Sequence, residues 1–276
     1  MVENKHTNEK NFLIVELDET GERYIFPNID SSKFGTKREH LVEITDSDFE
    51  KAFNFSYAMT FGKQGKHSSS SFTRDSGYKR TLGEIFVHAL QGKLSEIATY
   101  NHSVAKGNQC NEVDFSIGRL DYWDNIDLAI NNLNVSVKST KGYSMFLLLE
   151  VKNYDQNGNY RYPYDGQSLI DLFLLCRVQS KSGESIEGVL KSKHWLYSKE
   201  LDRKLLYKEL NMRKWLVELT GFISKKNLAE HVIKAGHIMK KGIKMGSSDE
   251  PMKVDNYYVH VSDLVFKKQE TKKHEE

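Results

Sequence analysis

The clearest alternation of apolar and polar positions lies between Asp127 and Lys152, DLAINNLNVSVKSTKGYSMFLLLEVK. Leu128 and Ile130 alternate with polar or small residues, Val135 and Val137 do the same, and Met145 to Leu149 is a continuous apolar run. The pattern predicts three short strands. The Asn-rich stretch from Asn131 to Asn134 supplies turn chemistry, so the first two strands are expected to form a hairpin. A two-residue turn at Asn131-Asn132 sets Asp127 opposite Ser136, and a four-residue turn sets it opposite Lys138. Either register puts Asp127, Ser136 and Lys138 on one face and Val135 and Val137 on the other.

Around this stretch the periodicity changes. Thr81-Leu82-Gly83-Glu84 is a capping box that opens a helix, with Leu82, Ile85, Phe86, Ala89, Leu90 and Ile97 as its apolar stripe. At about 100° per residue, Glu84 falls well off that stripe and Glu96 at its edge, where a glutamate can reach over the sheet. Its plain alternative is a snorkelling surface acid. Phe12 to Leu17 and Arg23 to Phe26 predict a small β element turning at Glu19-Thr20-Gly21. Asp46 to Met59 has helical texture, Ser224 suits the N-cap of a helix over 225–234, and nothing recognisable precedes that helix to make it a helix-turn-helix reader. Strands are expected at Val113 to Ile117, Leu169 to Val178 and Tyr257 to Val265, with Tyr122 to Asp124 leading into the hairpin. Trp195 to Tyr197 begins a strand or a helix, Lys204 to Leu219 is mixed, and Asn153 to Gln167 is a polar, aromatic loop.

Strands interleaved with helices imply an α/β or α+β domain, and the expected class is α/β with a mixed central β-sheet flanked by helices. The expected organisation is a disordered lead (1–10), one domain (11–266) and a disordered tail (267–276). With 276 residues, 38% hydrophobic and 28% charged, the chain can bury a substantial core. A net charge of +2 neither demands nor excludes a nucleic-acid partner. Cys110 and Cys176 form no CxxC pair, which points to a reduced, cytoplasmic protein without disulfides or structural zinc. The polar N-terminus is unlike a signal peptide, and no apolar run reaches membrane-spanning length. The ten histidines include no close ligand-like pair on one predicted helix face.

Residues 62–80, GKQGKHSSSSFTRDSGYKR, carry Lys63, Lys66, Arg74, Lys79 and Arg80 against Asp75 alone in a Gly/Ser-rich setting. Such a stretch is commonly a solvated loop. Beside a site that handles phosphates it becomes a candidate DNA-binding arm, since its cations would meet the backbone.

Asp127 and Lys138 on a short hairpin, preceded by a helical glutamate in Gly92-Lys93-Leu94-Ser95-Glu96, resemble the PD-(D/E)xK nuclease superfamily, and type II restriction endonucleases in particular. The resemblance covers roughly residues 80–178. Ile126-Asp127 stands where the family has Pro-Asp, and Ser136-Val137-Lys138 where it has Asp/Glu-x-Lys. The missing proline is conformational. The serine matters more, because a neutral hydroxyl is a poor ligand for a hard cation. Some restriction enzymes have Ser-Val-Lys and take the second carboxylate from a later glutamate, a part that Glu150 suits here. A carboxylate after four apolar residues needs a compensating charge or metal.

The resemblance implies a restriction-endonuclease-like core and Mg²⁺-dependent, sequence-specific cleavage of double-stranded DNA by a homodimer. It implies Asp127 and Glu150 as metal ligands, Lys138 as the residue that orients water, Glu96 in support and Ser136 as a hydrogen-bond donor. A competing parse takes Glu150-Val151-Lys152 as the motif, with Lys152 in place of Lys138. The alternatives in function are a structure-directed or nonspecific repair nuclease and a catalytically decayed DNA-binding module. The bland reading of the residues themselves is a structural ion-pair cluster on a sheet.

Overall fold

The structure, a computed structural model, describes residues 12–26, 40–64, 80–117, 126–161 and 169–265. The expected lead, the tail, Tyr122 to Asp124 and most of the basic stretch lie outside these residues.

Strand β7 (Leu172–Ser180) explains the layering. Its sequence LFLLCRVQS is apolar on both sides of the pleat, as a strand covered on both faces must be. It pairs parallel with β5 (Leu133–Lys141) and antiparallel with β8 (Trp215–Ser224). With β3 (Leu41–Glu43) beside β8 and β4 (Leu128–Ile130) beside β5, a mixed five-stranded sheet results, ordered β3-β8-β7-β5-β4.

On one face, Val135, Val137, Leu174, Cys176, Val178, Val217 and Leu219 join a core with residues of α1 (Asp46–Met59), α2 (Leu82–Ala105), α3 (Ile186–Ser192) and α4 (Arg203–Asn211). Aromatic pairs knit these helices together. Phe53 of α1 meets Phe86 of α2 edge-on at 5.8 Å and Tyr207 of α4 at 5.1 Å. On the other face, Phe173, Leu175 and Ile223 meet Leu147 and Leu149 of β6 (Phe146–Glu150) and Tyr257 and Val259 of β11 (Asn256–His260). Leu228, Val232 and Ile233, from the helical turns after Ser224, complete this second core.

Helix α2 starts as its sequence predicts. Thr81 Oγ1 accepts from Glu84 N, and the Glu84 carboxylate accepts from Thr81 N at 2.8 Å, so both halves of the capping box are made. Thr81 Oγ1 also donates to Leu196 O at 2.8 Å, and a Cβ on Gly83 would lie 2.2 Å from that same oxygen. Only glycine lets the helix start approach this loop so closely.

Several expectations need correction. The stripe of α2 is rotated: Phe86, Leu90 and Ile97 are buried, but so are Val87, Leu94 and Ala98, while Leu82, Ile85 and Ala89 are only partly covered. The helix packs against α1 as well as the sheet, so its apolar arc is wider than one stripe. Val113 to Ile117 is not a strand; only Cys110 makes a bridge, to Ile130. Strand β6 does not extend the hairpin's sheet. It pairs with β11, which also pairs with β9 (Ile238–Met239), in a separate three-stranded sheet. Trp195 to Tyr197 is neither strand nor helix, and the mixed segment resolves into α4 and β8. The N-terminal pair forms as expected: β1 (Glu16–Leu17) and β2 (Arg23–Ile25) are antiparallel, and β10 (Lys244–Met245) adds to β2 in parallel.

An ion pair lies within the buried layers. Arg177 of β7 grips Glu218 of β8 through two hydrogen bonds of 2.8 and 3.0 Å, with 4% and 2% of their side chains exposed. Arg177→Met should cost about 3–5 kcal/mol in denaturant unfolding, because Glu218 is left charged and enclosed. The double change Arg177→Met with Glu218→Leu should recover most of that loss. Equal destabilisation by the single and double changes would contradict this account.

Candidate active site

The hairpin turns in two residues. Asn131 (φ 49°) and Asn132 (φ 65°) both occupy the left-handed region, the geometry of a type I′ turn that asparagine tolerates. Leu128 faces Val135 and Ile130 faces Leu133, so the ladder continued by one pair sets Asp127 opposite Ser136. This is the first of the two registers that the sequence allows.

Asp127 is pinned by the strand it faces. Its backbone N–H donates to Val135 O at 3.1 Å, while Oδ2 accepts from Val137 N at 2.6 Å and from Ser136 Oγ at 3.3 Å. Neither side-chain bond uses Oδ1. Burial pushes the Asp127 carboxyl above the ordinary aspartate range; Lys138, the Val137 N–H, Lys93 and the Ser136 hydroxyl pull it back.

Helix α2 brings the next carboxylate. Gln91 Nε2 reaches Ser139 Oγ at 3.4 Å, laying the helix along β5. One and a half turns further on, Glu96 comes within the electrostatic influence of Asp127. Burial raises its carboxyl to about 7; Lys93 opposes the rise, and the charges of Asp127 and Asp114 add to it. Lys93 Nζ contacts Glu96 Oε2 at 2.6 Å, with only 13% and 12% of the two side chains exposed. The same ammonium lies 4.9 Å from the centre of the Phe55 ring and 5.9 Å from that of Phe115. Asp114 is held by the Ser116 N–H and hydroxyl at 2.7 and 2.8 Å, and the first of these leads the lowering of its pKa.

Asp127 thus has Ser136 within hydrogen-bonding distance and feels the charge of Lys138 and Lys93, and Glu96 in turn feels the charge of Asp127. Lys93 and Asp114 are residues that the sequence pattern does not single out. The i,i+3 spacing of Lys93 and Glu96 is a local signal for the first. Asp114 has none, because an irregular segment carries no periodicity.

Glu150 belongs to a strand of the other sheet, opposite Asn256 of β11. It ends β6, accepts from Asn153 Nδ2 at 3.4 Å, and lines a cavity of about 280 Å³ with Arg80, Glu84, His88, Lys141 and Glu187. Asp127, Lys138 and Glu96 do not line that cavity. The chain enters a 3₁₀ turn at Val151–Asn153, so Glu150 and Lys152 do not share a strand face as the competing parse requires. Of the basic stretch, Lys63 pairs with Glu200 at 3.3 Å and Arg80 borders the same cavity, while Lys66, Arg74 and Lys79 lie outside the described residues.

Among the described residues, no three Asp, Glu, His or Cys side chains form a group that could hold a metal ion as they stand. Asp127 and Glu96 nevertheless offer hard oxygen donors in a partly desolvated setting, and Mg²⁺ commonly takes only one or two protein carboxylates, with water and substrate phosphate for the rest. In that sense the donor set fits. No described helix is long and apolar enough to cross a membrane.

Comparisons with known proteins add no relative: no protein-family model matches the chain, and neither the curated proteins nor the solved structures yield a match.

The raised Glu96 carboxyl has a consequence for stability. A glutamate that titrates near 7 in the folded chain and near 4.5 when unfolded stabilises the fold fully below about 4.5, and that contribution is lost as pH rises through 7. Glu96→Gln removes the titration. Without divalent cations, thermal melts of the wild type should fall from pH 5 to pH 8 by a few degrees more than those of Glu96→Gln. Parallel curves would show that Glu96 does not titrate in this range.

Proposed function

We propose that this protein is a Mg²⁺-dependent endonuclease that hydrolyses phosphodiester bonds in double-stranded DNA at specific sequences, with a PD-(D/E)xK-like core. The observation that carries the reading is the arrangement at the mouth of the hairpin. One backbone-pinned carboxylate, Asp127, has both Lys138 and the helical Glu96 in electrostatic reach. A cation is the natural partner of two desolvated carboxylates, one of which has its proton affinity raised by the charge of the other.

In this reading Asp127, through Oδ1, and Glu96 hold the ion. Glu96 takes the part that the sequence assigns to Glu150; what supports this is the influence of the Asp127 charge on the Glu96 carboxyl. Mg²⁺, when bound, supplies Lewis-acid polarisation of the phosphoryl group. Lys138 orients the attacking water and offsets charge that builds in the transition state. The Val137 N–H and Ser136 hydroxyl keep Asp127 in one orientation, so that little reorganisation accompanies binding. The basic stretch before α2 supplies phosphate contacts. Two antiparallel strands are most simply cut by two centres related by a two-fold axis, which makes the acting species a homodimer on a palindromic duplex site.

In single-turnover assays on duplex DNA with Mg²⁺, Asp127→Asn and Lys138→Ala should each abolish cleavage while DNA binding persists. Glu96→Gln should be impaired far more than Glu150→Gln. Ser136→Ala should keep much of its activity, since it loses a hydrogen bond worth about 1 kcal/mol. Lys152→Ala should cut normally. Discrete fragments from long DNA support site-specific cleavage, whereas a smear supports a nonspecific repair nuclease. A dead Lys152→Ala beside an active Lys138→Ala would move the active site to Glu150-Val151-Lys152.

Replacing Lys63, Lys66, Arg74, Lys79 and Arg80 with alanine should weaken binding to all duplex sequences. It should also reduce the slope of log affinity against log salt by roughly one for each phosphate that the arm no longer neutralises. An unchanged slope would remove this stretch from the interface.

A further inference from the structure

We propose that the Tyr154 hydroxyl is a further catalytic group, donating a hydrogen bond to a non-bridging oxygen of the scissile phosphate. The inference rests on the nuclease reading above and deepens it by adding a residue that the motif does not contain.

The sheet puts Tyr154 on the relevant face. In the parallel pairing of β5 with β7, Ser136 stands opposite Phe173 and Lys138 opposite Leu175. Neighbours across a ladder project to the same side. The face that carries Asp127, Ser136 and Lys138 is therefore the one that Phe173 and Leu175 give to the second core. Tyr154 belongs to that core and meets the Phe173 ring edge-on at 5.6 Å. A single residue, Phe173, links its ring to Ser136, whose hydroxyl donates to Asp127 Oδ2 at 3.3 Å.

A small ribbon holds the ring in place. Tyr154 and Tyr160 form an antiparallel bridge, flanked by bonds from Asp155 N to Asn159 O at 2.9 Å and from Arg161 N to Asn153 O at 2.7 Å. The Asp155 carboxylate ties the tip, accepting from the backbone N–H groups of Asn157 and Asn159 at 2.8 and 2.9 Å. The tip closes on the turns after Ser224 at Gly158 (φ 75°), where a Cβ would lie 3.2 Å from Lys225 O. Lys225 Nζ also donates to Asn159 Oδ1 at 3.3 Å, and the Tyr160 ring abuts Tyr154 edge-on at 5.4 Å. A ring fixed in this way reaches a substrate with little reorganisation.

The hydroxyl is what this packing leaves unexplained. Tyr154 is 3% exposed, yet its phenolic oxygen makes no hydrogen bond among the described residues. Buried tyrosine hydroxyls ordinarily find a partner, and a phenylalanine would fill the same space without the penalty of an unmet donor. Nor is the oxygen one of the fully enclosed, unbonded polar atoms, so an incoming group can reach it. Burial, and after it Tyr160 and Asp127, push the phenol above the ordinary tyrosine range, which keeps it a neutral donor. An uncharged donor adds no repulsion beside Asp127, and its bond strengthens as charge builds on a phosphoryl oxygen.

Tyr154→Phe removes one oxygen and nothing else. Its thermal melt and its affinity for duplex DNA should match those of the wild type, because no bond of the free protein is lost. Its single-turnover cleavage of long duplex DNA with Mg²⁺ should fall about 100-fold. Tyr154→Leu, which also vacates the place of the ring, should melt several degrees lower. Cleavage by Tyr154→Phe at the wild-type rate overturns the role of the hydroxyl and leaves the nuclease reading standing. A Tyr154→Phe protein that melts lower or binds DNA more weakly overturns it too, since the hydroxyl would then serve the fold. If the wild type leaves duplex DNA intact, the nuclease reading falls, and this inference with it.

Discussion

The two-sided burial of β7 is the constraint on which the rest of the structure depends. Leu174, Cys176 and Val178 face the helical layer, while Phe173 and Leu175 face the layer of β6 and β11. A strand in that position cannot leave either side uncovered without exposing a row of large apolar side chains. It therefore requires helices on one face and the second sheet on the other. Charge within these layers is tolerated where it is matched, as in the bidentate pair of Arg177 and Glu218.

The margin beside β4 and β5 is where the candidate site sits. There the backbone still has an N–H to spare for a carboxylate, and Val137 gives its own to Asp127. Partial burial makes every charge in this corner matter more than it would in water. Asp127 and Glu96 are both shifted toward their protonated forms, and two lysines from different elements hold them back: Lys138 on β5 and Lys93 on α2. A corner with surplus negative charge and tethered ammonium groups is electrostatically tense without being unstable.

The second layer shows why a strand adjacent in sequence need not be adjacent in space. β6 follows β5 after a short turn, and hairpin pairing would be its simplest fate. Parallel pairing with β7 already satisfies one edge of β5, and β6 buries Leu147 and Leu149 better by lying across the Phe173 and Leu175 face with β11 as partner. That choice carries Glu150 into another sheet. The glutamate that looks closest to the motif along the chain therefore belongs to a different sheet from the hairpin that follows Asp127.

What the sequence by itself determined was local. The capping box at Thr81 and Glu84, the turn chemistry of Asn131 and Asn132, and the period-2 pairing of Ser136 with Lys138 act within a few residues, where backbone stereochemistry dominates. These features were legible, and with them the common face of Asp127, Ser136 and Lys138. Tertiary structure decided between the two hairpin registers, the rotation of α2, the departure of β6, and the company of Glu96. Those outcomes depend on which distant apolar surfaces compete for one another. Lys93 and Glu96 are three residues apart, yet their shared burial exists only because Phe55, Phe115 and the hairpin close around them. Desolvation is a property of the assembled surroundings, so no window of sequence could have revealed it.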